Sequence, residues 1–374
     1  MNNKLLQRLF TKAFLFKGYN DLKSMRSNSK NARKINDNLL LKIVKSNKNT
    51  EYGRKYNFSN IKTIEDYRKL VPLSTYKDYE PYINDMIYKY KENLITSYKI
   101  IGYAKSSGTV SNPKYIPLTQ NQINIYTKYT FTRMMALADK HYYRAHDKHQ
   151  KINRGICTFP SFDYYLPNGM LGSNVADVAA KQLSFFHQFI LDIPFKKQVN
   201  SAEFDFRYIN GRFGLEDKEC SYVFGVFFKN ITDLIMYLQD NWKMLVDDIE
   251  NGTINESVRG NENIKNKLRS IIKPNPERAK ELREEFEKGF DDTILERIWP
   301  NMIVMSGVGT STFEAYVKKA RQYSKHIPFD YSIYGASEGL YAACDQLNSI
   351  KQLLLVDSCY FEFIPVDDET KIYS

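Results

Sequence analysis

The stretch from Trp299 to Ile333 constrains the fold most. Trp299-Pro300-Asn301 turns into an apolar, β-prone run, Met302-Ile303-Val304-Met305-Ser306, and Gly307-Val308-Gly309-Thr310 follows it. Ser311-Thr312-Phe313-Glu314 then reads as a capping box, opening a helix with Phe313, Tyr316, Val317 and Ala320 on its inward stripe. Ile327 to Ile333 is the next strand candidate. Strand, glycine turn, helix and strand in that order make a βαβ unit, whose ligands gather at the carboxyl ends of the strands. The chain is therefore expected to be α/β, with Gly307 and Gly309 as candidate ligand-side glycines. Two glycines alone are a weak signal, because glycine turns join strands to helices in many folds.

A similar junction lies upstream. Tyr222–Phe228 is strongly β-prone and leads through Asn230-Ile231-Thr232-Asp233 into a helical pattern carrying Leu238, Trp242, Met244 and Leu245, with Gly252 as C-cap. The adjacent Asp247 and Asp248 invite an acid–base role, but a surface turn at the helix end accounts for them. Residues 253–290 read as an outer pair of charged helices. One starts at Asn275-Pro276-Glu277, buries Ala279, Leu282 and Phe286, and stops at Gly289. Helices are also expected over 31–46 and, as an amphipathic segment packed on the body, over 1–17. Thr119 to Gln122 reads as a capping box before a face of Ile123, Tyr126, Met134, Met135 and Leu137. Gly155 to Phe159 fits a buried strand, Asn168 to Ser173 a flexible turn, and Phe361 to Val366 a further strand. No repeat or low-complexity linker appears, so residues 1–374 read as one domain.

Composition narrows the function. The net charge of +11 is spread along the chain without an Arg-rich segment, which suits a lysine-rich enzyme surface better than a nucleic-acid interface. Cys157, Cys220, Cys344 and Cys359 form no Cys-x-x-Cys pair, which argues against zinc and points to reduced thiols in the cytoplasm. His141, His146 and His149 have no flanking carboxylate motif, and a solvated helix end accounts for them. No apolar run approaches the ~20 residues of a membrane span.

The chemistry concentrates in two places. Between the β-prone runs Ile100-Ile101 and Tyr115-Ile116 lies a loop of small hydroxyl residues, a glycine and lysines: Lys105-Ser106-Ser107-Gly108-Thr109-Val110-Ser111-Asn112-Pro113-Lys114. Backbone N–H groups, hydroxyls and cations in so short a span suit a polyphosphate, and the same composition suits a plain polar hairpin turn. It is not a Walker loop, since it lacks Gly-Lys-Ser/Thr and is followed by a strand-like run. The second place is Tyr334-Gly335-Ala336-Ser337-Glu338-Gly339, at the end of the last strand candidate.

Together these stretches resemble the acyl-adenylate-forming enzymes, and more narrowly the Gretchen Hagen (auxin-responsive) acyl-acid amido synthetases and their bacterial relatives. Asn49 to Phe58, Val71-Pro72-Leu73-Ser74 and Tyr79-Glu80-Pro81-Tyr82-Ile83 are similar to that family's N-terminal run, in the same order. The resemblance implies a large adenylating domain of mixed sheets flanked by helices. It also implies ATP and Mg²⁺ as cofactors, and a small-molecule carboxylic acid and an amino acid as partners. By it, Ser106, Ser107, Gly108, Thr109 and Ser111 would hold phosphate, with Lys114 as a catalytic cation. Tyr334, Gly335, Ala336 and Ser337 would border adenine and phosphate, and Glu338 would hold Mg²⁺. Ser111-Asn112-Pro113 stands where the family loop carries a second glycine. The family's ribose-binding aspartate segment and small C-terminal lid would lie beyond Ser374, so a lidless chain with weakened amide synthesis is expected. The alternatives are an acyl-CoA ligase with a thiol acceptor, and a degenerate ATP- or acyl-binding protein.

Overall fold

The computed structural model describes residues 3–106, 114–149, 152–158, 164–182, 203–368 and 372–373. Helices α1 (Asn3–Lys30), α2 (Ala32–Asn47), α3 (Glu51–Lys55), α4 (Ile64–Leu70) and α5 (Tyr76–Tyr88) come first. Next are strands β1 (Ile100–Lys105) and β2 (Tyr115–Thr119), helix α6 (Gln120–Thr127), a π turn at Lys128–Thr132 and helix α7 (Arg133–His146). Short strands β3 (Ile156–Cys157), β4 (Tyr164–Tyr165) and β5 (Leu171–Ser173) precede α8 (Val175–Gln182) and α9 (Phe206–Glu216). Strand β6 (Tyr222–Phe227) runs straight into α10 (Phe228–Asn251), followed by α11 (Glu262–Arg269), α12 (Pro276–Glu287) and α13 (Ile294–Ile298). The last part holds β7 (Val304–Val308), α14 (Glu314–Arg321), β8 (Phe329–Asp330), β9 (Ile333–Ala336), β10 (Gly339–Cys344) and β11 (Gln352–Leu354).

The strands form three sheets ordered β3-β6-β7-β8, β2-β1-β5-β4 and β11-β10-β9. The first is wholly parallel, with helix crossovers α10 from β6 to β7 and α14 from β7 to β8. That is the βαβ arrangement read from 299–333, and the mixed α/β class holds. Helix α10 explains why this half folds: Ile231, Leu234, Ile235, Leu238, Leu245 and Ile249 recur at helical spacing and are all buried. Each such side chain contributes about 1.5–3 kcal/mol of transfer free energy. The helix ends at Gly252, whose φ of +65° and close approach to Pro274 admit no side chain.

Several expectations need correction. Leu171–Ser173 is not part of a flexible turn; it is an inner strand, parallel to β1 and antiparallel to β4. Ile327–Ile333 is not one strand but two in different sheets, because Ser332 takes a φ of +59° and breaks the run. Ser311 is no helix cap: it also lies in the left-handed region (φ +57°), inside a 3₁₀ turn, and α14 starts at Glu314 without a side-chain cap. Phe361–Val366 is not a strand among the described residues; an isolated bridge joins Phe363 to Tyr373. Asp248 is not on a surface turn. It is buried and accepts hydrogen bonds from the Tyr208 and Thr253 hydroxyls and the Asn255 N–H. The strand expected over Gly155–Phe159 shrinks to β3, and Phe159 lies outside the described residues.

Candidate nucleotide site

The loop of 106–114 is the connection of an antiparallel hairpin. Lys105 pairs with Tyr115, and the Ser106 N–H donates to the Lys114 carbonyl at 2.9 Å, closing the base of the loop. Strand β2 is an edge strand, which is why Pro117 is tolerated in it. Ser107, Gly108, Thr109 and Ser111 lie outside the described residues. Lys114 is exposed, with its ammonium 5.3 Å from the centre of the Tyr76 ring. The Tyr76 hydroxyl accepts from the Tyr115 N–H at 3.0 Å, and burial raises the phenol's pKa, so it stays neutral.

Tyr334–Gly339 forms a second hairpin, β9 to β10, with Ser337 and Glu338 as its turn. Glu338 is exposed, and its carboxylate carries no hydrogen bond or ion pair among the described residues. Tyr334 is 65% exposed, its ring 5.6 Å from that of Tyr341. Ser337 is half-buried, while Gly335 and Ala336 are open to solvent.

Helix α6 connects the two hairpins. It leaves β2 without a linker, and the Thr119 hydroxyl caps it by accepting from the Gln122 N–H. Only half of the expected capping box forms, because the Gln122 amide reaches elsewhere and donates to the Glu338 carbonyl at 3.2 Å. One turn on, the Tyr126 hydroxyl donates to the Ala336 carbonyl at 2.5 Å. Burial, then the nearby Cys359, Tyr341 and Glu338, hold this phenol protonated and able to donate. So the residues following one motif grip the backbone of the other.

Gly307 and Gly309 sit at the carboxyl end of β7, as expected, but steric packing alone accounts for both. A Cβ at Gly307 would lie 3.1 Å from the Gly225 carbonyl oxygen and the Phe228 nitrogen. One at Gly309 would meet Val317, Phe228 and Tyr331 at 2.6–2.8 Å. Beside them Phe227 and Phe313 stack with ring centres 4.4 Å apart.

Two polar anchors escaped the sequence reading. Arg133 and Asp330, both fully buried, form a bidentate pair (3.0 and 2.7 Å), and Asp330 also accepts from the Ser306 hydroxyl and the Ser332 N–H. Arg133 further donates to the Cys344 and Tyr129 carbonyls. The network fixes the point where the chain leaves the parallel sheet for the second hairpin. A cation inside an otherwise apolar helical stripe was the available signal. Asp357 is the other anchor: it accepts from Lys128 at 2.9 Å and from the Tyr129 hydroxyl, using side chains that the π turn aims together. Its neighbour Ser358 donates to the Leu340 carbonyl, next to the hairpin's turn.

Among the described residues no group of three or more His, Cys, Asp or Glu could hold a metal. His146 bonds the Tyr142 carbonyl and His149 bonds Asp139, so the histidine run does not converge. None of the cysteines is in a disulfide. No helix of the described residues is long and apolar enough to cross a membrane.

Comparisons with known proteins agree on one family. A family model described as the GH3 family N-terminal domain matches residues 21–329. A jasmonoyl–L-amino acid synthetase, GH3.5 of Oryza sativa subsp. japonica, is 26% identical over 91% of this chain and 59% of its own length. An indole-3-acetic acid-amido synthetase, GH3.8 of Oryza sativa subsp. indica, is 24% identical over 90% of this chain and 57% of its own. The chain thus spans a little under three fifths of these curated relatives. Among solved structures, an AtGH3.15 acyl acid amido synthetase in complex with 2,4-DB superposes over 95% of this chain and 62% of its own, with a TM-score of 0.79 at 22% identity. That likeness shows the fold.

Proposed function

The chain belongs to the GH3 family, and from that premise we propose that it supplies the adenylating large domain of an acyl-acid amido synthetase. In the first step a carboxylate oxygen of the acid attacks the α-phosphorus of ATP, and pyrophosphate leaves. In the second an amino-acid amine attacks the acyl carbonyl carbon, forming the amide, releasing AMP and giving up a proton.

The observation that carries this reading is the α6 bridge, Gln122 on the Glu338 carbonyl and Tyr126 on the Ala336 carbonyl. It ties the loop-bearing hairpin to the second hairpin, the two stretches on which a nucleotide's phosphates and base would lie. Ser106, Ser107, Gly108, Thr109 and Ser111 supply donors to the phosphates, and Lys114 supplies positive charge to the one being displaced. Ser337 adds a hydroxyl donor, and Gly335 and Ala336 leave room for the nucleotide beside the Tyr334 ring. Gly307 and Gly309, at the end of β7, are required by packing and are assigned no contact with the nucleotide. The protein's work is mostly positioning and charge neutralisation, with preorganised donors facing developing negative charge.

Glu338, an exposed carboxylate without an internal partner, fits Mg²⁺. That cation takes one or two protein carboxylates and fills its remaining positions with phosphate oxygens and water. When bound it would neutralise the phosphates.

Pyrophosphate release and mass spectrometry of acyl-AMP, over a panel of carboxylic acids with MgATP, test the proposal. The expected result is acid-dependent release and a detectable acyl-adenylate. No turnover with any acid, together with no ATP binding by calorimetry, would overturn it. Adding amino acids or coenzyme A in parallel separates an amine acceptor from a thiol acceptor.

A further inference from the structure

A second cluster of charge lies away from both hairpins, in a cleft between α1 and α7. Tyr19, Lys23, Arg26, Ser27 and Lys30 recur at helical spacing on α1 and line it, with the buried Leu22 beneath and Lys140 of α7 opposite. The cleft measures about 380 Å³, within the range of small-molecule sites. Every charged residue lining it is a cation. Arg26 alone is paired: it donates to the Asp345 carboxylate at 3.1 Å and to the Asp345 carbonyl at 2.7 Å. Lys23, Lys30 and Lys140, and Arg144 one turn along α7, have no hydrogen bond or ion pair among the described residues. The other nearby acid, Asp139, is fully buried, and its Oδ2 is engaged by the Tyr19 hydroxyl and His149.

Several other cations are arranged differently. Lys17, Lys89, Lys91, Lys229 and Lys288 each sit against a carboxylate a few residues away. In the cleft, like charges are held together from two helices with one half-exposed acid among them. Burial, and then the charges of Arg26 and Arg144, press the Lys140 ammonium below its ordinary pKa, outweighing the opposite pull of Asp345.

We propose that this cleft is a binding site for a compact polyphosphate anion, distinct from the adenylation site. Asp345 directly follows β10, whose other end carries Gly339 at the second hairpin's turn. A six-residue strand spans about 20 Å, so one ligand does not reach both places. The site is independent of the proposed adenylation chemistry. The ligand source is either a free polyphosphate or a polyphosphorylated lipid headgroup, which share this recognition chemistry.

The test is calorimetric titration of the intact chain with inorganic tripolyphosphate at physiological salt. Co-sedimentation with neutral vesicles, with or without a bisphosphorylated phosphoinositide, runs alongside it. Lys23→Glu with Lys140→Glu should weaken whichever probe binds by at least about tenfold, since like charges then face the anion. Lys114→Ala should leave that event unchanged, as should the remote control Lys273→Glu with Lys280→Glu. Lys23→Gln with Lys140→Gln, checked by circular dichroism, covers the case in which charge reversal unfolds α1. Tripolyphosphate binding identifies a free anion, and binding confined to the charged vesicles identifies a headgroup. No binding of either probe overturns the proposal, as does binding lost with Lys114→Ala, binding untouched in the Lys23 and Lys140 variants, or equal loss in the remote control.

Discussion

The two hairpins of the candidate site are held in opposite ways. The first, β1 to β2, is held mainly by backbone bonds, its own ladder, one bond closing the loop base and the ladder to β5, with a single side-chain hydroxyl, that of Tyr76, on the Tyr115 amide. The second, β9 to β10, is held from outside by side chains distant in sequence. Gln122 and Tyr126 grip its turn, and Arg133 and Asp330 lock its root. Chemistry-bearing residues on the first therefore lie next to one another along the chain, whereas the second owes its position to a buried polar network. Substitutions should consequently cost stability behind the second hairpin, and cost activity alone at the solvent-facing residues of either.

The largest effect should come from Arg133→Met. It leaves Asp330 buried without its cation, and breaking such a pair costs about 3–5 kcal/mol. A urea midpoint close to wild type would show that Asp330 is not held as described. Glu338→Ala should be its mirror image. The rate of acyl-adenylate formation falls by about 10²–10³ and Mg²⁺-dependent ATP binding is lost, yet the urea midpoint stays put, since the carboxylate touches nothing internal. A stability loss in that variant would break the contrast between the two hairpins.

The Cys344 thiol supplies a pH test of the same root. Burial, and then the Asp330 charge, push its pKa from 9.0 up to about 11. The native state keeps this proton where the unfolded chain has lost it. The contribution is therefore whole below pH 9.0 and disappears as pH rises through about 11. Urea unfolding between these limits should fall more steeply for the wild type than for Cys344→Ala; parallel slopes would refute it. The smallest expected effect belongs to Tyr126→Phe. Losing one hydrogen bond costs about 1 kcal/mol, to be read as a small drop in the urea midpoint together with a several-fold weaker ATP affinity. An unchanged affinity would mean that the turn holds its place without this hydroxyl.

How much of this was legible in the sequence depended on sequence separation. The βαβ unit, the α10 helix with its glycine stop, and the turn chemistry of the first hairpin announce themselves within a few tens of residues, whereas strand β10 of the second hairpin was not read at all. Arg133 meets Asp330 across 197 residues and Tyr129 meets Asp357 across 228, and no local pattern encodes such pairings. Asp248 was misplaced on the surface because the Tyr208 hydroxyl that helps bury it comes from another helix, 40 residues away. The break at Ser332 was hidden because serine carries no warning of a left-handed backbone. Strand β5 was hidden by brevity: three residues directly after the Asn168-Gly169 turn look like more turn.

The direct passage of β2 into α6 has a consequence for evolution and engineering. With Thr119 both ending the strand and capping the helix, there is no slack between them. One inserted residue would turn the helix by about 100°, carrying Gln122 and Tyr126 away from the second hairpin together. Deletion of a residue would do the same in the other sense. This junction should therefore reject length changes that the exposed connections between α11 and α12 absorb, and an insertion scan would find it as a sharp gap in tolerance far from any chain end.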